Sequence, residues 1–89
     1  MFVSHVEVSI MNELDDVLSV KKFVENYVAK FYEEKPLLIN WVKIVKLRNI
    51  TWDCSIRVKF KDREYGLAIL VDAFRKMCMG HAITGIATR

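Results

Sequence analysis

The sequence has little that breaks or staples a chain: one proline, three glycines and two cysteines in 89 residues. Gly66, Gly80 and Gly85 stand apart, so neither a glycine-rich phosphate loop nor a Gly-x-Ser-x-Gly nucleophile turn is present. Cys54 and Cys78 do not form a Cys-x-x-Cys pair, which argues against a zinc or redox unit and leaves two small hydrophobes on packed faces. No apolar run approaches the roughly 18 to 20 residues of a membrane span. Met1 to His5 offers neither a basic nor an apolar leader, so a cytoplasmic protein without a membrane segment is expected.

What is present is a hydrophobic fraction of 53%, enough for one α+β domain over residues 1–89 with its own core. The clearest signal lies at Thr51 to Phe60. There Trp52, Cys54, Ile56, Val58 and Phe60 alternate with Thr51, Asp53, Ser55, Arg57 and Lys59, the period of a half-buried strand in an antiparallel sheet.

In chain order, Phe2, Val6, Val8 and Ile10 alternate with polar neighbours and predict a first strand. Leu14, Val17, Val20, Val24, Tyr27, Val28 and Phe31 then recur at three- and four-residue steps, one face of a helix. Asn12 or Ser19 is its expected cap, and Pro36 its limit. Leu37 to Leu47 fits neither period cleanly, and a helix through Leu38, Trp41, Val42 and Val45 is the alternative, but β-branched residues and Trp41 from Ile39 onward favour a strand, turned at Arg48-Asn49 onto the next. A two-residue turn there sets Val45 against Trp52, Lys43 against Cys54 and Trp41 against Ile56. It also gathers Lys46, Arg48, Arg57 and Lys59 on the opposite face beside Val42 and Ile44.

After a turn at Lys61 to Glu64, the residues Leu67, Leu70, Val71, Phe74, Met77 and Cys78 predict a second helix over Tyr65 to Met79, capped by Asp62 and ended by Gly80. The alternative is a strand at Glu64 to Val71 followed by a shorter helix. Ala82 to Thr88 reads as a last strand or an ordered tail. The order β-α-β-β-α-β, two helices on one face of a small antiparallel sheet, resembles the ferredoxin-like sandwich, with a β-α-β-β-β-α meander as the alternative. This resemblance brings no motif and implies no activity.

Charge is uneven. Residues 1–34 carry seven acids against three bases, while residues 43–63 carry seven bases against two acids. The basic hairpin predicts contact with nucleic acid or an acidic protein surface through Lys46, Arg48, Arg57, Lys59 and Lys61. No glycine or outward aromatic interrupts Cys54 to Phe60, so base stacking is not expected. Trp41 and Trp52 read as core. His5 and His81 lack a third metal ligand. The reading is a non-enzymatic binding protein, homo-oligomeric because apolar surface is left over, with no cofactor and no metal. A ligand-sensing or small catalytic domain with a site between subunits, using Lys43, His5 and His81, is the second reading.

Overall fold

A computed structural model describes residues 16–48 and 50–88. The predicted first strand and His5 lie outside these residues. Within them, helix α1 (Val17–Tyr32) precedes strands β1 (Leu38–Leu47), β2 (Thr51–Lys59), β3 (Arg63–Asp72) and β4 (Met77–Thr88). The strands form one antiparallel meander in the order β1-β2-β3-β4. The α+β class stands, but among the described residues one helix and four strands are found where the sequence predicts the two-helix ferredoxin-like order.

The helix forms where the three- and four-residue apolar spacing predicts it. Its cap is neither Asn12 nor Ser19: the Asp16 carboxylate accepts the Ser19 N–H at 2.7 Å, a bond that holds this carboxyl below its ordinary pKa. The other end turns at Glu33, left-handed at φ 54, whose N–H bonds back to the last turn, three residues before Pro36. Val20, Val24 and Val28 are fully buried against the sheet. The helix crosses the strands obliquely, with Lys21 over the Trp41 ring on β1 and Tyr27 and Tyr32 reaching His81 on β4.

The second helix is absent because its apolar residues serve two faces of a strand. Leu67, Ile69 and Val71 are buried at every second position, toward α1, while Leu70 is exposed on the far side. A strand apolar on both faces can satisfy the helical spacing by coincidence. The breaker is Asp72: its buried carboxylate accepts the N–H groups of Phe74 and Arg75, both at 2.9 Å. Lys76 then turns left-handed, and the chain reverses into β4 where a helix would have continued. The shorter helix of the alternative reading is absent for the same reason. Ala82 to Thr88 is indeed strand.

The first hairpin holds a correction of register. The connection takes three residues, 48–50, with Arg48 left-handed at φ 56, so the last pair is Leu47 with Thr51 and not Leu47 with Ile50. Every partner moves by one: Ile44 faces Cys54, Lys43 faces Ser55, and Lys46 faces Trp52. A bulge at residue 42 restores the predicted pairing of Trp41 with Ile56. The shift exchanges Lys43 for Lys46 on the helix side of the sheet. Ile44 now packs on the core, and Lys43 on the far side pairs with Asp53 at 2.8 Å.

Trp52, Cys54, Ile56, Val58 and Phe60 are all buried and make the centre of the core. Among the described residues, nothing covers the opposite face of the sheet. Among the described residues, no helix is long and apolar enough to cross a membrane.

Candidate functional site

The five predicted binding residues do not meet on one face. Lys46 stands on the helix side, its ammonium 5.8 Å from the centre of the Trp52 ring. Arg48 is at the hairpin tip. Arg57 alternates with the buried positions and so points outward with Lys59, and Lys61 follows in the next turn. Lys46 lies opposite Trp52, and seven residues of strand separate Trp52 from Lys59, about 23 Å. The charges form a track along the hairpin, exposed at both ends and on both faces. A one-residue register shift, invisible in the charge count, accounts for the difference.

The same seven bases divide by partner. Lys43 is bound to Asp53, and Arg63 bonds Asp62 at 2.7 Å and Glu34 at 3.1 Å while lying over the Phe60 and Tyr65 rings. Among the described residues, Lys46, Arg48, Arg57, Lys59 and Lys61 have no carboxylate within ion-pair distance. These five are the residues named from sequence.

A second cluster was missed. His81 on β4 sits between two tyrosines of α1, with Tyr27 Oη 2.7 Å from Nδ1 and Tyr32 Oη 3.0 Å from Nε2. Phe31 covers the imidazole at 4.4 Å between centroids, and Tyr32 stacks on Tyr65. In neutral imidazole one nitrogen accepts and the other donates, and hydroxyls suit both roles. Burial lowers the His81 pKa and raises those of Tyr27 and Tyr32. Among the described residues, no carboxylate bonds to the ring, and the Cys78 thiol on the same strand donates to the Gly80 carbonyl at 3.2 Å. The cluster therefore fastens the helix to β4 and lacks the base–orienter pairing of nucleophilic catalysis. The signal that could have found it is the step from Tyr27 to Tyr32, polar-tipped aromatics at the edge of an apolar helix face.

Both cysteines are free. Burial, and then the neighbouring Asp53 charge, push the Cys54 thiol up to about 11. Cys78 is half-buried on a strand, not on the predicted helix. Trp52 is core and Trp41 half-buried, and neither indole N–H has a partner among the described residues. Among the same residues, no three His, Cys, Asp or Glu side chains gather as metal ligands.

The uncovered face carries a shallow groove of about 350 Å³ across β2, β3 and β4, edged by Val42, Arg57, Glu64 and Thr84 and floored by Gly66 and Gly85. Gly66 is needed there, since a Cβ would stand 2.8 Å from Thr84 Oγ1. Compared with protein-family models, curated proteins and solved structures, the chain matches none.

Proposed function

We propose that this chain is a non-enzymatic binding protein that works as a homo-oligomer and holds an extended acidic macromolecule, nucleic acid or an acidic protein surface, along its β1–β2 hairpin. The observation that carries the reading is the selective pairing of the hairpin's bases: Lys43 and Arg63 are neutralised within the chain, and Lys46, Arg48, Arg57, Lys59 and Lys61 are left for an external partner. Their spread over about 23 Å favours a linear polyanion over a compact anion. With Trp52 buried and Phe60 in the core, contacts are to charge and not to bases, so affinity depends on salt more than on sequence.

The second reading loses its residues: Lys43 is paired with Asp53, His81 is held at both nitrogens by tyrosines, and His5 lies outside the described residues. The test is a titration of labelled single-stranded DNA and of a polyglutamate peptide at several salt concentrations, with the wild type and with Arg48→Ala/Lys61→Ala. The wild type is expected to bind with a steep salt slope, and the double variant to flatten that slope by about two contacts. Binding of neither probe at low salt removes the reading.

A further inference from the structure

The uncovered sheet face joins what a self-complementary surface needs. Leu38, Val42, Val45, Leu47, Leu70 and Met77 are all exposed on it, Val42 at 66%. Between them the β3–β4 half is low, built from Gly66, Ala68, Gly80, Ala82 and Gly85. The β1 half thus stands proud and the β4 half is recessed.

We propose that this face is the interface between two copies of the chain, stacked sheet on sheet about a two-fold axis that runs along the strands between β2 and β3. This deepens the oligomeric part of the reading above and rests on it. The axis lays β1 over the second copy's β4 and β2 over its β3, at the same height along the strands. Val42, at the β1 bulge between Trp41 and Lys43, then comes over the second copy's β4 at the level of Ala82 and Ile83, beside the end of the groove. Arg57 comes over Gly66 of the second copy, beside its Glu64. Neither Arg57 nor Glu64 has an ion-pair partner among the described residues, and an isologous interface satisfies both twice.

Three further points select a second copy. Four strands at about 4.8 Å and ten residues at about 3.3 Å give a plan area of about 600 Å² before side-chain relief. That is close to the ~800 Å² per partner of a standard interface. The two edge strands are irregular, β1 at Val42 and β4 at two points, and bulged edges disfavour edge-to-edge pairing. Lys43 and Asp53, bound to each other, enter such an interface as a neutral pair. Lys59 comes over Glu64 of the second copy and joins the interface, and Lys46, Arg48 and Lys61 are left along the hairpin for a polyanion.

Sedimentation equilibrium of the full chain at tens of micromolar tests this. The wild type is expected at about twice 10.4 kDa, and Val42→Lys at a single unit, with the far-ultraviolet circular dichroism unchanged because residue 42 contacts solvent. Arg57→Glu is expected to raise the dissociation constant at least about tenfold by facing like charges across the axis. Arg57→Glu/Glu64→Arg is expected to restore it. A wild-type monomer, a dimeric Val42→Lys, or a double variant as weak as Arg57→Glu overturns the proposal. Arg48→Ala/Lys61→Ala, at the hairpin tip and in the β2–β3 turn, leaves the dimer intact, so loss of polyanion binding and loss of self-association are read separately.

Discussion

Tyr27 of α1 and His81 of β4, 54 residues apart in sequence, meet at 2.7 Å through the phenol oxygen and Nδ1. With Tyr32 on Nε2, this is the polar clasp between the end of the helix and the last strand. Among the described residues, the groups bonded to or stacked on the imidazole are the Tyr27 and Tyr32 phenols and the Phe31 ring, and none of these carries a negative charge that would favour the imidazolium.

Burial lowers the His81 pKa below its ordinary 6.5. Above 6.5 neither folded nor unfolded chain binds the proton, and stability is full. Below it the unfolded chain protonates first, so stability falls with pH until the folded imidazole also titrates. Thermal midpoints measured between pH 7.5 and 5 are expected to decline for the wild type and to decline less for His81→Gln. Equal slopes would remove His81 as the cause.

Neighbours on β3 separate the strand from the helix that its spacing imitates. Ile69 is fully buried under α1, whereas Leu70 faces outward. Ile69→Ala is expected to cost about 2–5 kcal/mol, the usual toll of a large core truncation. Leu70→Ala, measured by urea unfolding at a concentration low enough to keep the chain monomeric, is expected to stay within about 1 kcal/mol.

Asp72 holds the turn that ends β3. Removing its carboxylate strands the N–H groups of Phe74 and Arg75, and a lost buried acceptor costs about 1–3 kcal/mol. Asp72→Ala is expected to lose that much in chemical denaturation. Asp72→Asn, which keeps one acceptor oxygen, is expected to recover most of it.

The thiols should differ in rate. Cys54 is fully buried with its pKa raised to about 11, and Cys78 is half-exposed. A thiol reagent at pH 8 is expected to label Cys78 in the native protein and Cys54 only on unfolding. Cys78→Ser is expected to abolish the fast phase.

Periodicity alone determined α1 and β2, because in each a single apolar face alternates with a polar one and only one backbone geometry aligns it. The strand at Ile39 to Leu47 was legible from its β-branched residues for a related reason. Charge counting alone located the seven bases of residues 43–63, where carboxylates are scarce, but which of them are paired within the chain needed the structure. What only the tertiary structure decided were matters of one residue or of distant partners. Whether Arg48 turns left-handed sets a three-residue loop, and that single residue moves Lys46 to the helix side and Ile44 into the core. Whether Leu67 to Val71 is helix or strand is ambiguous locally, because Ala68 and Leu70 make its second face apolar too; the Asp72 turn and pairing with β4 settle it. The clasp of His81 by Tyr27 and Tyr32 shows locally only as two polar-tipped aromatics at the edge of the helix face; that they meet His81 is decided by packing an oblique helix across the sheet.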